Sequence, residues 1–219
     1  MNPIFNGVYR LQSKIWTQNL VPHTRVYGES LIEHAQIEYR NWNPFQSKLA
    51  AAIQNGLRQF PIEPDSKILY LGSAEGTTIS HLSDILRGKG LIIGIDVSAR
   101  TMSKILQLAS ERPHILPIIA DAGKPDIYPS EIQEISFDFL YQDIAQKNQT
   151  EIFIRNARFL KKDGFGMLVI KAPSIDSQKP AKTVIQEQLQ MLEKEFKIIQ
   201  TLSLEPFEKK HALVLCQKK

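Results

Sequence analysis

The segment KILYLGSAEGTT, residues 67–78, decides the fold class of this chain. Its first five residues have strand character, and they run into a turn with two glycines, Gly72 and Gly76, before helix-forming residues. A glycine turn at the end of a first strand lets a ligand approach the backbone at the mouth of a sheet. The G-x-x-x-G spacing differs from the G-x-G-x-x-G spacing of pyrophosphate-binding turns. The turn alone therefore indicates either a ligand site or a purely structural bend.

Strands and helices alternate from this segment onward. Strands are predicted at five apolar runs: Lys67–Leu71, Leu91–Asp96, Ile115–Ala120, Phe137–Tyr141 and Met167–Lys171. An amphipathic helix is predicted over Ser98–Ser110, with an apolar face of Met102, Ile105, Leu106 and Ala109. A second helix is predicted over Ala181–Glu195, with an apolar face of Ile185, Leu189 and Leu192. Such alternation favours an α/β fold with a parallel sheet that is covered on both faces.

The last two predicted strands, Ile198–Leu204 and Ala212–Gln217, break the parallel pattern. Only seven residues, Glu205–His211, separate them, whereas a parallel crossover needs about 10–12 residues or more. The final strand must therefore run antiparallel if both strands belong to one sheet. A mostly parallel sheet with a reversed last strand is the architecture of class I methyltransferases, whereas a dinucleotide-binding dehydrogenase domain more usually stays parallel throughout.

Residues 1–45 differ from the rest of the chain. Short alternating pieces such as Val8–Leu11 and Arg25–Tyr27 are interrupted by glycines and prolines, which predicts β-hairpins and leaves room for a short helix at Ser30–Arg40. Ser47 then has the character of an N-cap before helix-forming residues. We therefore predict a small β-rich domain over residues 1–45 and a second domain over residues 46–219.

The composition excludes several protein classes. Of 219 residues, 42% are hydrophobic and 23% are charged, which is typical of a soluble globular protein. The single cysteine, Cys216, rules out an internal disulfide and a cysteine-rich metal site, and no metal is predicted. No apolar run approaches the roughly 18 residues of a membrane span, and the first residues lack a signal-peptide pattern, so we expect a cytoplasmic location. A net charge of +4 is modest for a protein that binds RNA unaided.

Acidic residues also end the strands that follow the glycine turn. Asp96 closes a strand 24 residues after Gly72, at a position where an acid accepts hydrogen bonds from ribose hydroxyls. Asp121, followed by Ala122, closes the next strand and suits an adenine amino group. Capping of a helix is the alternative role for Asp96. Together these residues predict an adenosine-containing ligand at the carboxyl edge of the sheet.

Four further candidates converge on the same edge. Asp143 follows the fourth strand, Lys171 ends the fifth, and His211 precedes the reversed last strand. A reversed strand begins where its parallel neighbours end, and adjacent strands lie ~4.8 Å apart, so these side chains can meet beside the glycine turn. Lys48, near the start of the preceding helix, is the fourth candidate. Simple solvent exposure is the alternative for Lys48 and His211, whereas Lys171 ends an apolar run, where a carboxylate would hold it in place.

Several motifs of this chain resemble those of the fibrillarin family, specifically its short archaeal-type members. These motifs lie in collinear order along essentially the whole chain. They are Trp16–Pro22 (WTQNLVP), Glu38–Pro44 (EYRNWNP), Ser47–Ala51 (SKLAA), Leu71–His81 (LGSAEGTTISH), Tyr141–Gln146 (YQDIAQ) and Ile170–Ala172 (IKA).

This resemblance implies a fold and an activity. The fold is that of a class I S-adenosylmethionine-dependent methyltransferase, with a Rossmann-like seven-stranded sheet, mostly parallel with a reversed last strand, plus a small N-terminal β-rich domain. The activity is 2′-O-methylation of ribose in rRNA, extending to tRNA, directed by C/D box guide RNA. The implied partners are the guide and target RNAs, a Nop-domain scaffold protein and a kink-turn-binding, ribosomal-protein-like subunit, with no membrane involved.

The resemblance also assigns site residues. The family's Lys-Asp-Lys-His catalytic tetrad falls on Lys48, Asp143, Lys171 and His211. With Gly72 of the glycine turn, the cofactor contacts fall on Thr77, Thr78, Asp96, Val97, Asp121, Ala122, Asp143, Ile144, Ala145 and Gln146. Three positions depart from the family pattern: Asp96 replaces the usual glutamate, Glu75 replaces a small residue, and Lys209–Lys210 stand where an acidic residue is frequent.

Three other functions explain part of the sequence. A class I methyltransferase for a small molecule or a protein would explain the sheet and the glycine turn, but not two lysines beside an aspartate. A non-catalytic RNA-binding or scaffold subunit would explain the fold, but not a complete tetrad. An NAD-dependent enzyme is disfavoured by the spacing of the glycines.

Overall fold

The computed structural model describes residues 1–219. The N-terminal segment forms one sheet of five strands: β1 (Asn2–Phe5), β2 (Val8–Leu11), β3 (Lys14–Gln18), β4 (Leu31–His34) and β5 (Ile37–Asn41). Their spatial order is β1-β2-β3-β5-β4, and all neighbours are antiparallel. The predicted hairpin at Val8–Leu11 is therefore confirmed, whereas Arg25–Tyr27 belongs to no strand, because the Val26 and Tyr27 N–H groups donate to the Glu29 carboxylate instead.

The central sheet has seven strands: β6 (Lys67–Leu71), β7 (Leu91–Asp96), β8 (Ile115–Ile119), β9 (Phe137–Gln142), β10 (Leu160–Lys171), β11 (Phe196–Ser203) and β12 (His211–Lys218). Their spatial order is β11-β12-β10-β9-β6-β7-β8. Only β12 runs against its neighbours, so the reversed last strand is confirmed. The strand β10 begins at Leu160, seven residues before its predicted start.

Seven helices accompany the sheets: α1 (Lys48–Gln54), α2 (Thr77–Leu86), α3 (Ala99–Glu111), α4 (Ser130–Gln133), α5 (Gln149–Asn156), α6 (Ala172–Ile175) and α7 (Ala181–Leu192). Side chains of β6 alternate between two cores. Ile68 and Tyr70 pack with α1, α2 and α3, whereas Leu69 and Leu71 pack with α5 and α7. The sheet is thus covered on both faces. None of the seven helices is both long enough and apolar enough to cross a membrane.

The N-terminal sheet shares the first of these cores. Val8, Ile15 and Trp42 are buried in the same cluster as Ile68 and the apolar side chains of α2. The division into two domains after residue 45 stays a prediction.

The short helix at Ser30–Arg40 is a wrong prediction. This segment forms the β4–β5 hairpin, and the two residues at its tip, Ala35 and Gln36, have φ values of +51° and +63°. Two successive positive φ values are those of a type I′ turn, which matches the twist of the flanking strands. Tyr39 and Arg40 are buried in the folded protein. Tertiary packing therefore overrides local helix propensity in this segment.

The apolar face of α3 also differs from the prediction. Met102, Ile105 and Leu108 are buried, whereas Leu106 is 57% exposed. Each residue of an α-helix is rotated about 100° from the one before it, so Leu106 lies on the flank of the face that Ile105 presents to the core.

A buried ionic cluster joins the N-terminal sheet to α2. Arg40 donates from Nε to Glu29 Oε1 at 2.6 Å and from Nη1 to Asp84 Oδ2 at 3.0 Å. Asp84 also accepts from Arg112 Nη1 at 2.6 Å. The four side chains are fully buried. Their charges compensate one another in an interior where an unpaired charge is strongly unfavourable.

The imidazole of His81 lies beside this ionic cluster and is neutral. Burial, followed by the positive charges of the two arginines, holds the pKa of His81 well below its usual range. Thr17 Oγ1 donates to Asp84 Oδ2 at 2.8 Å, so His81 Nδ1 must donate to Thr17 Oγ1 at 2.7 Å. The proton of the neutral ring is therefore on Nδ1. The Tyr27 hydroxyl has two acceptors for its single proton, His81 Nε2 at 2.7 Å and the Asn41 carbonyl oxygen at 2.8 Å.

The free energy of unfolding is expected to fall as the pH decreases from about 6.5 to about 5. In the unfolded chain His81 binds a proton near its ordinary pKa, whereas the fold keeps the ring neutral, so the unfolded state binds more protons in this window. Each such histidine lowers the free energy of unfolding by up to about 1.4 kcal/mol per pH unit. Burial also lowers the pKa of His114, so this residue contributes to the same pH dependence.

The variant His81→Gln is expected to show a shallower pH dependence, measured as the free energy of unfolding in urea across this range. The slope that remains is then expected from His114. A slope equal to that of the wild type would contradict the neutral, buried state of His81.

Candidate active site

Two lysine side chains flank one carboxylate at the carboxyl edge of the central sheet. Lys48 Nζ donates to Asp143 Oδ2 at 3.0 Å, and Lys171 Nζ lies 2.7 Å from Asp143 Oδ1. Lys171 Nζ also donates to the backbone carbonyl of Asp143 at 3.1 Å. The three side chains are largely shielded from solvent. Two cationic groups against one carboxylate leave an excess of positive charge, which favours a group that develops negative charge.

Each of these side chains comes from the end of an element. Lys48 is the first residue of α1, and Ser47 is its N-cap. Asp143 follows the last residue of β9, and Lys171 is the last residue of β10. Because β9 and β10 are parallel neighbours, both ends reach the same edge of the sheet. The structure therefore brings these three predicted residues together.

Gln149, the buried first residue of α5, holds the two strand ends in place. Its Oε1 accepts from the Lys171 backbone N–H at 2.9 Å, and its Nε2 donates to the carbonyl of Gln146 at 2.8 Å. Its own carbonyl accepts from Gln142 Nε2 at 2.6 Å. One residue thereby fixes the loop that carries Asp143 relative to Lys171. No motif marked Gln149 in the sequence.

His211 lies opposite Lys171 in the pairing of β10 with β12. Its Nδ1 is 2.7 Å from the carbonyl oxygen of Lys209, which can only accept, so Nδ1 donates. Nε2 is therefore the ring nitrogen that remains for a substrate. Glu208, also unmarked by any motif, has carboxylate oxygens 3.9 Å from His211 Nδ1 and 4.0 Å from Lys48 Nζ. It supplies an acidic group beside His211 although two lysines directly precede the histidine.

The glycine turn packs against the loop that carries Asp143. Gly72 has a φ of +82°, and a Cβ at this position would lie 2.8 Å from the carbonyl oxygen of Asp143. The Asp143 N–H donates to the carbonyl of Leu71 at 3.0 Å. Glycine is therefore required at position 72 both by the backbone conformation and by the close approach of the next strand end.

The start of α2 is joined to the start of α1. Gly76 is the N-cap of α2, which begins with Thr77 and Thr78. Thr78 Oγ1 is hydrogen-bonded to Ser47 Oγ at 2.9 Å. Because Ser47 caps the helix that carries Lys48, this contact ties the start of that helix to the glycine turn.

Asp96 ends β7 next to the glycine turn. Its Oδ2 accepts from the Ala74 N–H at 3.0 Å, and its Oδ1 accepts from the Ser98 N–H at 2.9 Å. The N-cap of α3 is Ser98. A carboxylate has about four lone-pair sites, so Asp96 keeps capacity for ligand hydroxyls. The neighbouring Val97 is 60% exposed and offers an apolar surface beside that carboxylate.

The other predicted contacts lie along the same edge. Asp121 Oδ1 accepts from the Gly123 N–H at 2.8 Å, which stabilises the turn after β8. Ala122 is buried, and its carbonyl accepts from Asn156 Nδ2 at 2.9 Å. Three residues continue the loop after Asp143: Ile144, Ala145 and Gln146. No hydrogen bond joins Asp121 or Ala122 to the tetrad, so the structure places them near the edge without bringing them into the lysine–aspartate cluster.

A cavity of about 760 Å³ opens over the glycine turn. Five predicted residues line it: Lys48, Gly72, Thr77, Thr78 and Asp143. Part of its wall is formed by Thr24–Tyr27 of the N-terminal segment, which no motif marked. Ser73 Oγ is buried in this wall without a partner in the protein. The wall of the cavity thus contains one buried, unpartnered hydroxyl and two side chains of the tetrad, Lys48 and Asp143.

Three side chains that line the cavity have shifted pKa values: Glu75, Tyr70 and Tyr27, the last raised by burial. A hydrogen bond from Lys104 Nζ, which lies 2.7 Å from Glu75 Oε1, lowers the pKa of Glu75. The charge that Glu75 brings to the cavity is therefore paired. Burial, followed by the Asp143 carboxylate, raises the pKa of Tyr70 well above its usual range, so its hydroxyl remains protonated.

Known proteins resemble this chain over its full length. The fibrillarin family model matches residues 1–219. The fibrillarin-like rRNA/tRNA 2′-O-methyltransferase of Thermococcus gammatolerans is 46% identical, over 98% of this chain and 96% of that protein. Aeropyrum pernix fibrillarin, solved with natively bound S-adenosyl-L-methionine, superposes with a TM-score of 0.85 at 39% identity, over 95% of this chain and 92% of that one.

A second solved structure, the fibrillarin/Nop5p complex, contains a chain that superposes with a TM-score of 0.88 at 38% identity, over 98% of both chains. The fold agrees with these likenesses. Since both the family match and the identity extend over essentially the whole sequence, the chain belongs to the fibrillarin family.

Proposed function

We propose that this chain transfers a methyl group from S-adenosylmethionine to ribose 2′-oxygens of rRNA and tRNA, at positions selected by C/D box guide RNA. The observation that carries the proposal is the placement of Lys48 and Lys171 on either side of the Asp143 carboxylate, beside the glycine turn. A methyltransferase for small molecules or proteins shares the sheet and the turn. The two lysines of the tetrad suit a polyanionic substrate whose reacting oxygen loses a proton.

The residues around the glycine turn fit S-adenosylmethionine. The unpartnered hydroxyl of Ser73 is free to hydrogen-bond, and the exposed Val97 side chain lies beside the carboxylate of Asp96. Asp96 would accept hydrogen bonds from the ribose hydroxyls, and Asp121 would accept one from the adenine amino group. The backbone at the start of α2, Thr77–Thr78, would also contact the cofactor. When bound, this cofactor supplies the methyl group on its sulfonium sulfur.

The tetrad would prepare the ribose for an in-line displacement, in which the 2′-oxygen bonds to the methyl carbon as the bond from that carbon to sulfur breaks. Asp143 orients Lys171 through the 2.7 Å contact. Lys171 either accepts the 2′-hydroxyl proton as a neutral amine or stabilises the forming oxyanion as a cation. Lys48 and His211 Nε2 hold the ribose or its flanking phosphate. Alignment of the reactants contributes the largest share, because intramolecular models reach about 7–11 kcal/mol.

The variant Gly72→Ala is expected to weaken binding of S-adenosylmethionine and to lower the free energy of unfolding by about 1–3 kcal/mol. The new Cβ would be strained at φ +82° and would push against the Asp143 loop. Isothermal titration with the cofactor and unfolding in urea measure the two effects. Gly56→Ala is the matched control, because Gly56 has a φ of +93° but no atom within 4 Å of the added Cβ. Equal cofactor affinity in both variants would contradict the role of the turn.

We propose a Nop-domain scaffold protein as a partner, since a fibrillarin has been solved in complex with Nop5p. The guide RNA and a kink-turn-binding, ribosomal-protein-like subunit complete the proposed assembly. The modest net charge of +4 supports this, because such a protein obtains part of its affinity for RNA from its partners. The cytoplasmic location expected from the sequence stays a prediction.

The experiment that tests the function is transfer of a labelled methyl group to a target RNA, in a mixture of this chain, the guide RNA and both partner proteins. The modified position is mapped by its resistance to alkaline cleavage. A single modified ribose whose position follows the guide sequence is the expected result. Binding of S-adenosylmethionine without any transfer to RNA would point to a small-molecule or protein substrate, and absence of cofactor binding would point to a scaffold role.

A further inference from the structure

We propose that Phe45 and Phe207 form a stacking surface for a nucleobase that flanks the methylated nucleotide; we call this pair the aromatic ledge. The proposal deepens the proposed function and rests on it, because it takes an RNA strand as the occupant of the active site. It assigns the ligand class as single-stranded RNA and the contact as stacking of a base on the open face of Phe45.

The geometry of the ledge leaves one aromatic face available. The ring centroids of Phe45 and Phe207 are 5.0 Å apart with an interplanar angle of 77°, a T-shaped contact. Phe207 is half-buried against the core, whereas Phe45 is 68% exposed, more than any other large apolar side chain of the protein. A single T-shaped neighbour covers at most one face of a ring, so the second face of Phe45 is open to a ligand.

The ledge adjoins the tetrad through both of its residues. Phe45 precedes Lys48 by three positions at the start of α1. Phe207 precedes Glu208, whose carboxylate oxygens lie 4.0 Å from Lys48 Nζ and 3.9 Å from His211 Nδ1. The nucleotides on either side of a target ribose are covalently joined to it. A nucleotide next to a ribose at the tetrad therefore lies near the surrounding surface, to which Phe45 and Phe207 belong as chain neighbours of Lys48 and Glu208.

Hydrogen bonds fix the ledge before any RNA binds. Asn43 Oδ1 accepts from the Phe45 N–H at 3.0 Å, which holds the turn that presents the ring. Asn55 Nδ2 donates to the carbonyl of Glu205 at 2.8 Å, and the Glu208 N–H donates to the carbonyl of Leu204 at 2.9 Å, which holds the loop that presents Phe207. Because both backbone segments are already ordered, stacking loses little conformational entropy.

The side chains around the ledge suit RNA better than a protein partner. The loop that carries Phe207 contains the exposed Lys209 and Lys210, and it also contains two carboxylates, Glu205 and Glu208. An aromatic face with lysines nearby is the arrangement by which proteins bind single-stranded nucleic acid, through stacking and phosphate contacts together. One exposed ring bordered by charged groups of both signs is less suited to a protein interface, whose core is depleted of charge.

The test compares Phe45→Leu with Phe45→Tyr in the reconstituted complex. Leucine keeps apolar bulk but cannot stack, whereas tyrosine keeps the aromatic face. We expect Phe45→Leu to bind target RNA about tenfold more weakly, because it loses the stacking of one base. Phe45→Tyr and the control Leu106→Ala, an exposed leucine on α3, are expected to bind like the wild type. Affinity for S-adenosylmethionine is expected to be unchanged in all four proteins.

A second measurement identifies the base. Target RNAs with an abasic site at the position before or after the target nucleotide are bound to the wild type and to Phe45→Leu. At the stacked position the wild type loses affinity on removal of the base, and Phe45→Leu loses about tenfold less, because the contact is already gone. Any loss that arises from pairing with the guide is common to both proteins and cancels in the comparison.

These measurements separate the ledge from the proposed function. Equal RNA affinity for Phe45→Leu and the wild type would overturn the ledge, and so would loss of the scaffold protein from the Phe45→Leu complex, which would identify a protein contact. Weaker RNA binding by Phe45→Leu, in a complex whose wild type transfers no methyl group, would support the ledge and overturn the proposed function. Guided methyl transfer with unchanged RNA affinity would support the function and overturn the ledge.

Discussion

Replacement of Lys171 by alanine is expected to lower the rate of methyl transfer about 10²- to 10⁴-fold, the usual contribution of a positioned acid–base group. The Nζ of Lys171 lies 2.7 Å from Asp143 Oδ1 and donates to the Asp143 backbone carbonyl. Alanine removes this ammonium group and with it both contacts to Asp143. Affinity for S-adenosylmethionine is expected to persist, because Lys171 is not among the residues that we expect to contact the cofactor. Single-turnover transfer and isothermal titration measure the two quantities separately.

Two further variants serve as a control for Lys171→Ala and distinguish the two possible roles of Lys171. Lys161→Ala removes an exposed lysine from the same strand, β10, and is expected to transfer methyl groups like the wild type. Lys171→Arg keeps a positive charge but cannot accept a proton at neutral pH. Activity in Lys171→Arg would assign Lys171 as the cation that stabilises the oxyanion, and loss of activity would favour the proton acceptor. Full turnover in Lys171→Ala would refute both roles.

The variant Asp84→Asn is expected to lower the free energy of unfolding by about 3–5 kcal/mol, although it changes only one atom of the side chain. Asp84 accepts from both Arg40 and Arg112 in the buried ionic cluster, and Arg112 has no other carboxylate partner there. Without the negative charge, the guanidinium of Arg112 would remain buried and uncompensated. Unfolding in urea at neutral pH measures the loss.

The control for this prediction is Glu187→Gln, which breaks an exposed ion pair with Lys179. Surface ion pairs contribute about 0–1 kcal/mol, so this variant is expected to unfold close to the wild type. If Asp84→Asn unfolds no more easily than Glu187→Gln, the charges of the cluster are not what joins the N-terminal sheet to α2.

The assembly of the tetrad could be predicted from the sequence because it depends on topology. The short connection before His211 forces the last strand to reverse, and the reversal brings His211 to the edge where Asp143 and Lys171 end. Strand ends are encoded locally, by apolar runs that stop at a polar residue. The glycine turn is encoded locally as well, since Gly72 and Gly76 both adopt positive φ.

Features that depend on the direction of a side chain could not be predicted. Gln149 and Glu208 are ordinary polar residues in the sequence, and only the folded chain shows that one braces the Lys171 backbone while the other lies between Lys48 and His211. The β4–β5 hairpin could not be predicted, because burial of Arg40 against α2 is a long-range contact. This contact outweighs the local helix propensity of the residues around Arg40.

The hydroxyl contact between Ser47 and Thr78 joins the helix that presents Lys48 to the helix that begins at the glycine turn. We therefore expect binding of the methyl donor at the turn to change the affinity for RNA at the tetrad. Coupling free energy is reciprocal, so RNA is expected to change the affinity for the methyl donor by the same factor. The apparent dissociation constant of each substrate is then expected to depend on the concentration of the other.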